Sequence, residues 1–162
     1  MINIKIICVG KLKEKSLKEL QDEYLKRLSK YSNTQIIELD DEKAPATLST
    51  TEEENIKNKE CDKIIEKIKK YSNPYVIALD LKGKTYTSVE FAKKIENIAT
   101  YESSTIIFVI GGSLGLTDKL RKIANECVSF SSMTFPHQLF RIFLLEQIFR
   151  SFKINNNETY HK

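Results

Sequence analysis

The sequence predicts an α/β fold, a parallel β-sheet with helices packed on both faces. Three observations lead there. Thr105 to Ile110 reads TIIFVI, six residues that are each β-branched or aromatic. A continuous run of that length suits a strand covered on both sides, as in a parallel sheet. Strand-like and helix-like segments alternate along the whole chain, which favours parallel pairing with right-handed crossovers. At Gly111, Gly112 and Gly115 the chain turns from a strand into a capped helix. That is where open α/β sheets bind ligands, outside the carboxyl ends of their strands.

Each element follows from its own pattern. Ile2 to Val9 is apolar and ends at Gly10, a first strand. Ser16 to Leu28 carries Leu17, Leu20, Tyr24 and Leu28 at helical spacing, and Gln35 to Leu39 is a second strand. Asp40 to Thr51, with Pro45, reads as a loop, and Glu52 to Lys70 as a charged helix with Ile56, Ile64, Ile65 and Ile68 inward. Tyr75 to Leu79 is a third strand, with Asp80 to Lys84 as its end and turn. Thr87 and Glu90 form a capping box for a helix that buries Phe91, Ile95 and Ile98. After Thr105 to Ile110, Thr117-Asp118 caps a short helix over Lys119 to Asn125, and Cys127 to Phe130 is a fifth strand. Pro136 opens a helix to Phe152 whose apolar residues cover most of its circumference. Such a helix is buried on more than one side, so one face packs on the sheet and another needs a partner. Asn155 to Asn157 favour ending it.

Composition bounds the function. The 162 residues, 41% hydrophobic and 30% charged, suit one ordered domain over 1–162, without repeat, linker or low-complexity tract. No secretory signal is visible, Ile2 to Val9 is too short for a membrane span, and Arg141, Glu146, Gln147 and Arg150 interrupt Phe140 to Phe152. A cytoplasmic protein away from membranes is expected. Cys8, Cys61 and Cys127 are far apart and suit reduced thiols, with no metal-ligand spacing and hence no metal. Residues 1–80 carry 15 basic and 15 acidic side chains, and residues 81–162 carry 11 and 7. The excess of +4 therefore lies in the half with the glycine turn. It suits a polyanionic partner and equally a solvated surface.

The glycine cluster is either a tight turn or a ligand cradle. It is not the G-x-G-x-x-G fingerprint, since the pattern is G-G-x-x-G, late in the chain, with no acidic residue in the stretch Val128 to Phe140. Nor is it a P-loop, because no Gly-Lys-Ser/Thr follows. A second polar loop, Ser131 to Pro136, follows the fifth strand. Of the two histidines, His137 at a helix start suits capping or packing, and His161 lies in the tail.

FVIGGSLGL at Phe108 to Leu116, VSFSSMTFPHQLFRIFLLEQIFR at Val128 to Arg150 and the terminal YHK closely resemble the ribosomal RNA large subunit methyltransferase H family. CVGKLKEK from Cys8 and DEKAP from Asp41 extend the resemblance over the whole chain. The resemblance implies a SPOUT α/β knot, with a C-terminal trefoil knot and a homodimer through the last helix. It also implies use of S-adenosyl-L-methionine to methylate N3 of a pseudouridine in large-subunit (23S) ribosomal RNA within the assembled ribosome. Carried over by motif, the cofactor contacts are Leu79, Gly111, Phe130, Ser131, Ser132, Met133, Thr134 and Phe135. The chemistry needs a general base or groups that stabilise an anion. His161 with Tyr160, reaching the neighbouring protomer, and Arg141 as an anion clamp are the catalytic candidates. Asn155 to Asn157 stand where the family often has Arg-Gly before its Tyr-His motif, which leaves the path of the tail open. The alternative from another class is a non-enzymatic α/β module that binds a nucleotide or another anion at the glycine turn. A third is a purely structural dimerisation domain.

Overall fold

The computed structural model of the chain describes residues 1–43 and 45–162. Ala44, inside the loop expected over Asp40 to Thr51, lies outside the described residues. Five strands, β1 (Ile2–Val9), β2 (Ser32–Leu39), β3 (Tyr75–Thr85), β4 (Thr105–Ile110) and β5 (Glu126–Ser129), form one sheet in the order β2-β1-β4-β3-β5. Every neighbouring pair is parallel. The helices are α1 (Lys15–Leu28), α2 (Thr50–Ile68), α3 (Ser88–Asn97), α4 (Asp118–Ile123) and α5 (His137–Asn155). A single π-helical turn, Ile98–Glu102, follows α3.

The sheet is covered on both faces, as the apolar strands require. Alternate residues of β4 serve opposite cores. Ile106, Phe108 and Ile110 join Leu28 of α1, Phe91 and Ile95 of α3 and Leu144, Leu145 and Ile148 of α5. Ile107 and Val109 join Cys61, Ile64 and Ile65 of α2 and Leu120 of α4. Each fully buried Leu or Ile contributes roughly 1.5–3 kcal/mol, so α5 is firmly seated between α1 and α3. Its Leu139 and Phe143 remain exposed.

Local chemistry sets the helix starts. The Thr87–Glu90 capping box is present, and a second one, Ser49 with Glu52, starts α2 at Thr50, two residues before the expected Glu52. Thr117 Oγ1 accepts from the Leu120 amide at 3.2 Å and caps α4, which ends at Ile123 rather than Asn125. Asn157, at φ 54°, closes the end of α5.

β3 differs most from expectation. It runs on through Asp80 to Thr85, and Asp80 to Gly83 arch out before Lys84 pairs with the residue that Leu79 also faces, Val128. A Cβ at Gly83 would lie 2.6 Å from the Val128 backbone, so only glycine lets the strand return so closely. The arch lifts Asp80 and Leu81 above the carboxyl end of the sheet.

Candidate active site

A cavity of about 200 Å³ opens at the carboxyl ends of β3, β4 and β5. Leu79, the last β3 residue before the arch, and Ile110, the last residue of β4, stand on its wall, and Val128 belongs to the third strand. The turn Gly111 to Leu116 forms one side, tightened by the Gly115 amide donating to the Gly112 carbonyl at 3.1 Å. Gly115 holds φ at +85°, where a side chain would strain the backbone, whereas Gly111 does not. Gly111 is tight for another reason: a Cβ there would lie 2.7 Å from Leu116 Cδ2 and 3.2 Å from the Gly115 carbonyl oxygen.

The loop after β5 forms the facing side. Ser129 Oγ donates to the Ser131 carbonyl at 3.0 Å, and the Met133 amide donates to Ser131 Oγ at 3.0 Å. Phe130 and Phe135 both pack against Phe140. Of the eight expected cofactor residues, Leu79, Gly111, Phe130, Ser131, Thr134 and Phe135 line the cavity. Ser132 and Met133 do not, and Met133 is 72% exposed at the loop tip. An apolar floor between two exposed backbone turns fits a flat heterocycle held by main-chain groups, so the residues present suit a nucleoside-containing cofactor.

The arch of β3 adds a residue that the pattern did not single out. Asp80 lines the cavity and accepts from Arg121 Nε at 2.5 Å, while Arg121 Nη1 donates to Asp118 at 2.8 Å. These carboxylates hold the Arg121 pKa up, and the pairs tie α4 to the rim. His137 also reaches the cavity, and partial burial away from water lowers its pKa.

The catalytic candidates are not brought together within one chain. Arg141 is 3% exposed and points back into the fold. Its Nη1 donates to Glu38 Oε2 at 2.6 Å and to Gln21 Oε1 at 3.2 Å, and its Nη2 donates to the Gly10 carbonyl at 3.3 Å. It thus braces α5 against β1, β2 and α1.

Tyr160 and His161 lie instead at the far half of α5. The Tyr160 ring packs edge-on against Phe149 at 5.1 Å and under the Arg150 guanidinium at 4.9 Å. Arg150 grips Glu146 through Nε at 2.9 Å and Nη2 at 2.5 Å, and its Nη1 lies 3.1 Å from His161 Nδ1. Arginine can only donate, so Nδ1 accepts and the neutral imidazole carries its proton on Nε2. Tyr160 Oη donates to Glu146 Oε1 at 3.3 Å, and burial together with Glu146 raises its pKa. Glu146 is visible in the sequence as an ion-pair partner for the arginines of this helix, and it holds Arg150, four positions on, and not Arg141.

Among the described residues no group of three or more His, Cys, Asp or Glu side chains is placed to hold a metal ion. Among them, too, no helix is long and apolar enough to cross a membrane.

Comparison with known proteins agrees with this geometry. The family model described as "Predicted SPOUT methyltransferase" matches residues 2–161. Proteins named "Ribosomal RNA large subunit methyltransferase H" from Clostridium botulinum and Exiguobacterium sp. are 57% and 54% identical over 161 residues, 99% of this chain and 100% of each relative. One from Bacillus thuringiensis subsp. konkukian is 53% identical over the same span. Among solved structures, the crystal structure of a tRNA (m1G37) methyltransferase from Aquifex aeolicus superposes with a TM-score of 0.51 at 12% identity, covering 91% of this chain and 69% of that one. At that identity the likeness concerns the fold alone. With a family model matched over nearly its whole length and full-length relatives above 50% identity, the chain belongs to the SPOUT methyltransferase family.

Proposed function

We propose that this chain transfers a methyl group from S-adenosylmethionine to N3 of a pseudouridine in large-subunit ribosomal RNA, acting in the cytoplasm on the assembled ribosome. The observation that carries the reading is the convergence of three strand ends and two backbone-rich loops on one apolar-floored cavity. The names of the full-length relatives support the RNA class. Membership of a methyltransferase family removes the support for a non-enzymatic binding module.

Leu79, Ile110 and Phe130 would bury the adenine ring, and main-chain groups of Gly111 and the Ser131 to Thr134 loop would bond its edges. Held by these residues, adenosylmethionine would supply the methyl group as a sulfonium electrophile. The chain must position the base and favour loss of its N3 proton, since an imide nitrogen is a weak nucleophile until then. Nε2–H of His161 is a donor for a pyrimidine oxygen that gains charge as the proton leaves, with Arg150 fixing the tautomer. For His161 to take the proton itself, Nδ1 must first part from Arg150.

The functional unit is a homodimer through α5, with the trefoil knot of the family. Leu139 and Phe143 stand exposed beside an apolar groove that also contains Leu20, Tyr24, Phe130 and Phe135, as a self-complementary interface would require. Tyr160 and His161 do not line their own chain's cavity, which supports the reading that they serve that of the second protomer. Titration calorimetry with adenosylmethionine, ATP and NAD, followed by mass spectrometry of ribosomal RNA from cells with and without the protein, tests the reading. Absence of adenosylmethionine binding, or unchanged RNA masses, would overturn it.

A further inference from the structure

Two spaces adjoin the cofactor cavity, and their chemistries differ. One is the apolar groove along α5, which shares Val128, Ser129, Phe130 and Phe135 with the cavity. The other is a cleft of about 380 Å³ on the opposite side of the glycine turn, which shares Gly112, Ser113 and His137 with it. Lys11, Lys13 and Lys43 stand in the second cleft, with Glu60 on its wall.

The charges there do not simply cancel. Glu42 is paired with Lys63 at 2.8 Å and Arg141 with Glu38 at 2.6 Å, while Lys11 meets Asp40 only at 3.8 Å, so Lys11, Lys13 and Lys43 outnumber the remaining carboxylates on the lining, Asp41 and Glu60. Lys13 and Lys43 are exposed and have no carboxylate partner among the described residues. The 19-residue helix α5 starts on this cleft without a side-chain cap. Its first amides have no intrahelical carbonyl, and its dipole favours an anion. The Lys13 amide donates to Gln138 Oε1 at 3.1 Å, which holds the lysine turn against that helix start.

Glu60 adds a specific acceptor. Its side chain is 5% exposed, and Oε2 accepts from the Glu42 amide at 3.1 Å. Oε1 accepts no hydrogen bond among the described residues. Burial, Asp41 and Glu42 all raise its pKa, as expected of a carboxylate short of donors. A Cβ at Gly112 would lie 2.7 Å from Oε1, so the carboxylate is pressed against the turn that borders the cofactor cavity. Oε1 is not among the buried atoms left without a partner; it opens onto the cleft that Glu60 lines, where a ligand N–H can replace water.

We propose that the substrate nucleotide enters from this side: Lys11, Lys13 and Lys43 hold flanking phosphates, and Glu60 accepts a ring N–H of the target pyrimidine. The proposal rests on the functional reading above and names its RNA-facing side. A pyrimidine in RNA offers N–H donors and carries phosphates, and this cleft sets an acceptor beside exposed lysines, whereas the groove along α5 has acceptors in Glu146 and Gln147 but no lysine or arginine on its lining.

The test uses the intact dimer, adenosylmethionine, and ribosomes purified from cells lacking the protein. Lys13→Glu with Lys43→Glu should raise KM for ribosomes at least tenfold and flatten the salt dependence of ribosome binding. The adenosylmethionine Kd should stay within twofold. Glu60→Met should lower kcat/KM at least tenfold with the same cofactor Kd, and Glu60→Gln, which keeps an acceptor oxygen, should recover part of the loss. An unchanged KM in the double lysine variant, or a cofactor Kd that weakens in step with KM, overturns the proposal. Failure of the functional reading looks different, because the unsubstituted protein would then already bind no adenosylmethionine or leave ribosomes unmethylated.

Discussion

Replacing Arg141 by Met tests whether α5 is held by the buried ion pair at its start. Methionine keeps much of the apolar stem, so the change removes chiefly the guanidinium. Three hydrogen bonds go with it, to Glu38, Gln21 and Gly10. Breaking a fully buried pair costs about 3–5 kcal/mol because the remaining charge is stranded. Here Glu38 is 32% exposed in its side chain and keeps the Leu12 amide at 3.2 Å, so water recovers part of that cost. The expected loss is about 2–3 kcal/mol, or roughly 5–10 °C in Tm for a domain of this size. Urea unfolding followed by far-UV circular dichroism, at one fixed protein concentration, measures it. The pH dependence supplies an independent check. Burial alone would raise the Glu38 pKa, but bonds from Arg141 and the Leu12 amide outweigh it and leave the carboxyl below its ordinary value. A lowered folded pKa gives stability that is present above the unfolded value and lost as pH falls through the folded one. Arg141→Met should therefore lose stability less steeply below pH 4.5 than the unsubstituted protein. A loss under about 1 kcal/mol at pH 7 with an unchanged acid limb would show that the pair does not hold the helix.

Further outcomes follow from particular contacts. Gly83→Ala forces a Cβ to 2.6 Å from the Val128 backbone; it should cost about 1–3 kcal/mol in urea unfolding and weaken adenosylmethionine binding by displacing the Asp80 arch. Cys8, whose thiol pKa burial pushes from 9.0 up to about 12, gives stability that is complete below the unfolded value and declines as pH rises through the folded one. Between pH 9 and 12 the unsubstituted protein should lose about 1.4 kcal/mol per pH unit more than Cys8→Ala, and parallel slopes would refute this. Gly111→Val, blocked by Leu116 and the Gly115 carbonyl, should lower adenosylmethionine affinity at least tenfold in calorimetry while the dichroism spectrum stays folded. Deleting Thr159 to Lys162 should spare cofactor binding and abolish methyl transfer. Mixing that chain with Gly111→Val should restore one working site, and heterodimers that remain inactive would place the tail in its own chain.

Much of the fold was legible because its signals are local. The TIIFVI run, the Thr87–Glu90 box and the glycine turn each depend on residues a few positions apart. β1, β4 and the capped helix α3 accordingly lie where their patterns put them. The boundaries that moved depend on distant partners. β2 begins at Ser32 rather than Gln35 because Ile2 to Ile4 of β1 offer backbone pairing to Ser32, Asn33 and Thr34, whose side chains carry no strand pattern. β3 runs past Leu79 because Lys84 and Thr85 find Val128 and Ser129, across an arch that only a glycine permits.

The order of strands and helices, the two covered faces of the sheet and the capped turns can be read from the chain alone, since apolar period and turn chemistry are written in neighbouring positions; six of the cavity-lining residues came from its motif resemblance to the methyltransferase H family. Only the tertiary structure decided which charged groups face the cavity and which face the fold. Arg141 and Arg150 lie nine positions apart on one helix and look alike in sequence. One is buried because Glu38, Gln21 and Gly10 come together beneath it, and the other stands beside Glu146, Tyr160 and His161. The burial and pairing of Arg141 depend on neighbours brought from more than a hundred residues away, which no local pattern records, whereas the Arg150 pair with Glu146 is a local one.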